Sequence, residues 1–167
     1  MRWFQFGVFC PIFRLHGFRE PRTPASHLLT SESTGAANEV WSFGDKAYGI
    51  IKDILFLRER LRPYVNKQMQ LAHEKGIPPM RPLFFDFPSD TGSAAIDDEF
   101  LFGPDFLVAP VLEYEARKRK VYLPAGIDWT DAWTDKKFAG GQWLEVDAPL
   151  EKIPVFLRAG IKLPFNK

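Results

Sequence analysis

Cysteine, glycosylation acceptors, long apolar runs and excess charge are all scarce in this sequence of 167 residues. The single cysteine, Cys10, excludes an internal disulfide framework. The sequence contains no Asn-x-Ser/Thr glycosylation acceptor, so glycosylation gives no argument for secretion. The aromatic N-terminal stretch is interrupted by Gln5, Pro11 and Arg14, and no small-residue cleavage site follows it. No run approaches the ~18 apolar residues of a membrane helix. We therefore expect a soluble protein, with a cytoplasmic location favoured.

Charge and metal-binding residues exclude several further classes. The formal net charge of +1 gives no electrostatic reason to expect nucleic acid or a membrane surface as a partner. The histidines His16, His27 and His73 share no metal-ligand spacing, and one cysteine cannot complete a zinc site. We expect neither a metal nor a cofactor.

The composition is that of a folded protein. Hydrophobic residues make up 46% of the chain and charged residues 26%, which excludes a disordered chain. The length allows one ordinary domain or two small ones with a real core.

The stretch over residues 2–17, RWFQFGVFCPIFRLHG, predicts a short helix over residues 2–9, which Pro11 ends. Residues 12–15 then suit a short strand. A strand that ends in polar side chains and a glycine is how a parallel barrel presents ligand-facing groups, which makes Arg14 and His16 candidates for a binding site. Alternatively, His16 is a hydrogen-bonded structural residue and Arg14 a surface group.

Beyond this stretch the pattern predicts a long loop and then a long helix. Residues 17–44 have no period and favour a loop that borders a pocket or contacts a neighbouring subunit, so oligomerisation stays open. Asp45 is an acceptable N-cap for a helix with a near-3.6 period, which Gly76 ends. Pro63 predicts a kink or break. We expect Ile50, Ile54, Leu57 and Leu61 to be buried, and Lys52, Arg58, Glu59, Arg62 and Lys67 to form a solvated face.

From Arg81 onward, short strand-forming runs alternate with Gly, Pro and Asp, which is typical of an antiparallel sandwich. The predicted strands lie in RPLFFDF, EFLFG, DFLVAPVL, KRKVYLP, QWLEV and IPVFLRAGIKLP. The expected fold is α/β followed by all-β: the last helix–strand–helix of a (β/α)₈ barrel over residues 1–78, then a β-sandwich over residues 79–167.

Several motifs in order along the chain resemble those of glycoside hydrolase family 31, the α-glucosidase and α-xylosidase family. They are RWFQFG-FCP-FRLHG, WSFG with Val40 where the family has proline, LRPY, RPLFFDFP, FGPxxLVAP and the final strand over residues 153–164. The resemblance covers nearly the whole chain.

The resemblance implies retaining hydrolysis of a terminal α-linked glucose or xylose. It implies that His16 contacts the sugar, that Arg14 supports the pocket, and that both catalytic aspartates lie upstream of the segment matched by residues 2–17. The implied partners are a carbohydrate substrate and the N-terminal remainder of the enzyme. The acidic cluster over residues 90–99 is expected to keep a turn solvated, and neither it nor Asp86 is expected to hold a catalytic pair.

The competing interpretation is a non-catalytic β-sandwich module that binds carbohydrate or another protein. Trp129, Trp133 and Trp143 are the residues that distinguish the two. A row of exposed tryptophans would favour the binding module, and buried ones a bracing role. We expect these tryptophans to belong to the core.

Overall fold

The computed structural model describes residues 1–15 and 37–161. The first helix, α1, covers Arg2–Val8 and confirms the helix expected there. The strand expected over residues 12–15 is wrong, since Pro11 and Ile12 form a bend and the next residues have no regular structure. The carbonyls of Val8, Cys10 and Pro11 accept hydrogen bonds from the Arg58 side chain instead of a sheet neighbour.

A 3-10 turn at Val40–Phe43 leads into the second helix, α2, which covers Asp45–Lys75. Gly44 holds the N-cap position, so Asp45 is the first helical residue and not the cap that we expected. Gly76 ends α2 in the left-handed region, at φ 68°, as expected for a C-cap glycine. The helix is continuous through Pro63, so the structure shows no break there.

One face of α2 is buried, with a spacing close to 3.6 residues. The buried positions include the four that the sequence predicted, and they are Ile50, Ile51, Ile54, Leu57, Leu61, Val65 and Gln68. The opposite face carries charged residues in solvent, among them Lys52 and Lys67. Arg58 is the exception, because it is partly buried and hydrogen-bonded to α1 and to the residues that follow it.

The rest of the described chain forms eight short strands, one α-helical turn and a 3-10 turn at Ser93–Ala95. The strands are β1 Met80–Arg81, β2 Phe100–Phe102, β3 Phe106–Val108, β4 Lys118–Leu123, β5 Asp128–Asp131, β6 Lys137–Ala139, β7 Gln142–Asp147 and β8 Val155–Arg158. The run RPLFFDF is a strand only at its start, because Leu83–Asp86 form a helical turn, α3.

The strands make two antiparallel sheets. The larger has the order β1-β2-β3-β8-β5-β6, and the smaller pairs β4 with β7. Residues alternate between the two faces of the larger sheet, so that Phe106 and Val108 face the helices while Leu107 faces the smaller sheet. This confirms the predicted antiparallel sandwich.

The larger sheet therefore separates two hydrophobic cores. The first joins α1 and α2 to the sheet through Phe9, Leu57, Leu61, Phe102 and Phe106, among others. The second lies between the two sheets and is built around Trp129 and Phe156. Among the described helices, none is long and apolar enough to cross a membrane.

Candidate substrate-pocket edge

The residues from Phe9 to Leu15, here called the exit segment, leave α1 toward the predicted pocket residues. Phe13 folds back on α1, with its ring 4.8 Å from that of Phe4 in an edge-to-face arrangement. Gly7 makes room for this ring, because a Cβ at that position would lie 2.9 Å from it. The backbone on either side of Phe13 is thus tied to α1 by ring packing.

Arg58 of α2 holds the other side of the exit segment. Its Nη1 donates to the carbonyls of Val8 at 2.6 Å and Cys10 at 2.7 Å, and its Nη2 to that of Pro11 at 2.9 Å. The guanidinium also lies over the Phe13 ring, 5.7 Å from its centroid. Burial lowers the pKa of Arg58, and the nearby Cys10 opposes that change.

Of the two residues predicted to bind substrate, the structure describes one. Arg14 is exposed and directly follows the anchored Phe13. His16 lies outside the described residues, as does most of the loop predicted over residues 17–44. Residues 37–44 of that loop are described, and they contain the 3-10 turn, where Ser42 Oγ lies within hydrogen-bond distance of the carbonyl oxygens of Ala37, at 2.8 Å, and Glu39, at 2.6 Å.

Arg2 and Gln5 bind α1 to the loops of the sandwich, which sequence reasoning missed. Arg2 donates to the carbonyls of Ala116, Ala148, Pro149 and Lys152, as well as to the side chain of Gln5. Gln5 Nε2 in turn donates to the carbonyl of Leu150 at 2.8 Å. A glutamine between aromatic residues was the one signal in the sequence, and in the structure this glutamine is buried.

Tyr64 makes a second connection between α2 and the sandwich. Its hydroxyl donates to the carbonyl of Phe102 at 3.0 Å and accepts from the amide of Asp105 at 3.3 Å. Burial and the nearby Asp105 raise the pKa of Tyr64. Gly103, at φ 59°, allows this contact, since a Cβ there would overlap the tyrosine hydroxyl.

Asp86 serves a structural ion cluster. It accepts from Arg81 at 2.9 Å and from Arg158 at 2.9 Å, and the two arginines lie over the rings of Phe85 and Phe87. Two arginines therefore engage this one carboxylate. That Asp86 is not catalytic stays a prediction.

The acidic connector is less solvated than the sequence predicted. The carboxylate of Asp90 accepts from the Tyr122 hydroxyl, the Ser93 hydroxyl and the amides of Gly92 and Ala125, at 2.8–3.1 Å. Burial opposes ionisation of Asp90, but these hydrogen bonds outweigh it and lower its pKa. The Ser93 hydroxyl and the backbone amides of Gly92 and Ala125 serve as donors to this carboxylate. The composition of the connector did not predict these hydrogen bonds.

Glu99 corrects the expectation of a solvated turn most clearly. Its side chain is 5% exposed, and Oε1 accepts from the amide of Tyr122 at 2.7 Å. Burial raises the pKa of Glu99 to about 8, although the Tyr122 amide and Arg119 oppose this. Arg119 itself is paired with Asp98 at 2.7 Å. Glu99 is therefore a packed residue beneath the smaller sheet.

The tryptophans favour the bracing role over the binding module. Trp129 is fully buried and donates to the carbonyl of Pro124, and Trp133 is partly buried and donates to that of Ile153. Trp143 of β7 is 48% exposed, contrary to the expectation that it belongs to the core, and its ring lies beside Tyr122 and Lys120 of β4. These three residues do not form an exposed row.

The described residues provide no metal site and no activated cysteine. Within residues 1–15 and 37–161, no three His, Cys, Asp or Glu side chains are grouped so as to hold a metal ion. Burial raises the pKa of the Cys10 thiol, against a weaker opposing effect of Arg58. A raised pKa lowers the fraction of the reactive thiolate.

The described residues form two helices that cover one face of an antiparallel β-sandwich, and the mainly apolar exit segment leaves the first helix. The family model for the glycosyl hydrolase family 31 TIM-barrel domain matches residues 1–68. The model for the glycosyl hydrolase family 31 C-terminal domain matches residues 76–161. The chain belongs to glycoside hydrolase family 31.

The relatives are considerably longer than this chain, which spans about a fifth of the curated proteins that it matches. Alpha-glucosidase 2 of Bacillus thermoamyloliquefaciens is 38% identical over 162 residues, covering 95% of this chain and 18% of that protein. An alpha-xylosidase of Saccharolobus solfataricus is 34% identical, and the match covers 98% of this chain and 20% of that protein. The solved structure of a GH31 alpha-xylosidase from a soil metagenome, in complex with xylose, is 54% identical with a TM-score of 0.86. This match covers 96% of our chain and 24% of that one.

Proposed function

We propose that this chain supplies the end of the catalytic barrel and the bracing sandwich of a retaining α-glycosidase that cleaves terminal α-linked glucose or xylose. The observation that carries the proposal is the match of both family models, in order, across α1, α2 and the sandwich. Alpha-glucosidases and alpha-xylosidases both occur among the relatives, so the proposal names both glucose and xylose as the sugar that is released.

The proposed division of labour places the acid–base chemistry outside this chain. A retaining glycosidase needs two carboxyl groups ~5 Å apart, one as nucleophile and one as acid and base. Asp86 is bound by two arginines, Asp90 by four hydrogen-bond donors, and Glu99 is buried under the smaller sheet. The family resemblance instead puts both catalytic aspartates upstream, and His16 and Arg14 are the contribution of this chain to the pocket.

His16 is proposed to hydrogen-bond a hydroxyl of the sugar whose bond is cut, and Arg14 to support the pocket beside it. Arg14 follows directly on the anchored Phe13, so its backbone starts from a fixed point. Hydrogen bonds to sugar hydroxyls that strengthen toward the oxocarbenium-like transition state raise kcat.

A joined enzyme tests the proposal. Residues 1–167 replace the matching segment of the soil-metagenome alpha-xylosidase, and turnover of aryl α-xyloside and α-glucoside is compared with that of the 167-residue chain alone. We expect turnover from the joined enzyme and none above background from the chain. Turnover by the chain that disappears on changing Asp86, Asp97, Asp98 or Glu99 to alanine would overturn the proposal, as would a folded joined enzyme without activity.

His16→Ala in the joined enzyme tests the pocket assignment. We expect kcat/KM to fall about 100-fold, which corresponds to roughly 2.7 kcal/mol of transition-state binding. His73→Ala is the matched control, because His73 is exposed on the last turn of α2. An unchanged kcat/KM for His16→Ala would remove this residue from the pocket.

A further inference from the structure

We infer that Arg58 is a positioning residue, which fixes the path of the exit segment from the opposite helix and so sets the geometry of the pocket edge. The inference rests on the proposed function and adds to it a residue that touches no substrate. Its support is the hydrogen bonding of one guanidinium to the carbonyl of Val8, at the end of α1, and to those of Cys10 and Pro11, in the exit segment that carries Arg14.

At the end of α1, backbone amides satisfy only part of the carbonyls: those of Phe9 and Cys10 donate to the carbonyls of Phe6 and Gly7. The last carbonyls of a helix have no partner within the helix, and many helices provide one through a left-handed glycine. Here Phe9 follows α1 at φ −99°, and Pro11 has no amide hydrogen to give. Arg58 supplies donors to the carbonyl of Val8, inside the helix, and to those of Cys10 and Pro11, beyond it.

The guanidinium also fixes a direction and not merely a distance. Its two terminal nitrogens lie in one plane, so three carbonyls bonded at 2.6, 2.7 and 2.9 Å must approach that plane from defined sides. Phe13 lies against the guanidinium on one side and against Phe4 on another. A lysine at this position would offer a single charged centre and no face to stack.

The helix that carries Arg58 is held in the core. Leu57 is 5% exposed and Leu61 fully buried, so the backbone on both sides of Arg58 is fixed against the larger sheet. Tyr64, two turns further along α2, is bonded to the β2–β3 hairpin. The sandwich therefore fixes α2, and α2 fixes the exit segment through Arg58.

The test uses Arg58→Lys and Arg58→Ala in the joined enzyme, with two readouts. The first is amide hydrogen exchange of the exit segment, which we expect to become about tenfold faster in both variants. The second is steady-state kinetics, in which we expect kcat/KM to fall about 10- to 100-fold, mainly through kcat, because misplaced groups lose contacts in the transition state. Millimolar guanidinium is expected to restore part of the activity of Arg58→Ala and none to Arg58→Lys.

Two controls on the same helix separate positioning from stability. Arg62→Ala removes an exposed guanidinium whose partner is Glu59, and we expect both readouts to stay within twofold of the parent. Val65→Ala opens the core below α2 and should lower Tm without selective exchange in the exit segment. If Arg58→Ala changes neither readout more than Val65→Ala does, the inference is wrong. If the parent joined enzyme is inactive, the proposed function fails, while the exchange readout still decides the role of Arg58.

Discussion

Tyr122 connects two acidic residues, Asp90 and Glu99, that stand at opposite ends of the connector before β2. Its hydroxyl donates to the Asp90 carboxylate at 2.9 and 3.0 Å, while its backbone amide donates to Glu99 at 2.7 Å. Burial and the Asp90 carboxylate raise the pKa of Tyr122 to about 12. One residue of β4 thus anchors both ends of this connector, and Arg119 of the same strand pairs with Asp98 between them.

Tyr122→Phe removes the hydroxyl and keeps the ring against Trp143. We expect a loss of about 1.5–3 kcal/mol in unfolding free energy, the usual range for a hydrogen bond to a charged group. NMR titration should also show a higher pKa for Asp90, because one of its donors is gone. Tyr114→Phe is the matched control, since that ring is 92% exposed, and urea denaturation of both variants gives the comparison.

Glu99→Gln tests the buried carboxyl group. The pKa of Glu99 in the folded state, about 8, lies above its usual 4.5, so the folded state binds a proton that the unfolded state has already released. Stability should therefore fall between pH 4.5 and pH 8, by at most about 1.4 kcal/mol per pH unit. Between pH 5 and pH 8, the urea midpoint of the parent should fall as the pH rises, and that of the glutamine variant should depend less on pH. A constant difference between the two proteins across that range would refute the raised pKa.

At the residue scale, the sequence predicted which types of residue matter but not their partners. Arg58 has the spacing of a solvated helix position. It is partly buried because the end of α1 and the exit segment pack against it. Glu99 lies among Asp and Gly residues that normally mark an exposed turn, and β4 covers it from a distant part of the sequence. Such contacts depend on tertiary packing, which local pattern does not contain.

At the scale of elements, the buried face of α2 is the most predictable feature. Its buried apolar positions recur from Ile50 to Val65 with a near-helical period, so local pattern and tertiary packing agree. β5 and β6 were missed, because they are only 4 and 3 residues long and carry charged residues. The aromatic run in α3 has strand propensity and predicts a strand, whereas in the structure it forms a helical turn whose Asp86 accepts a hydrogen bond from Arg81.

Leu57→Ala tests the orientation of α2. The side chain is 5% exposed and belongs to the core shared with the larger sheet, so we expect a loss of about 2–5 kcal/mol in unfolding free energy. Leu55→Ala, two positions earlier and 37% exposed, is the matched control and should cost less than ~0.5 kcal/mol. Equal losses for the two leucines would mean that the assigned orientation of the helix is wrong.

At the scale of the whole molecule, the predicted division at residues 78 and 79 crosses a shared core. The larger sheet turns Phe102, Phe106, Val108, Val155 and Leu157 toward α1 and α2. Arg2 and Gln5 add hydrogen bonds from α1 to the loops at residues 116 and 148–152. The division into residues 1–78 and 79–167 stays a prediction, and these contacts make the two parts interdependent in stability.

Separating the parts should therefore weaken the sandwich. Residues 79–167 expressed alone would expose five core side chains, each worth about 1.5–3 kcal/mol when buried. That loss is comparable with the roughly 5–15 kcal/mol that holds a whole domain folded. We expect the isolated segment to bind a hydrophobic dye and to unfold at lower urea concentration than the 167-residue chain. Because Phe102 and Phe106 lie at the centre of the exposed face, changing both to serine in the segment should reduce dye binding. A segment that unfolds cooperatively at the same urea midpoint as the whole chain would show that α1 and α2 contribute nothing to the sandwich.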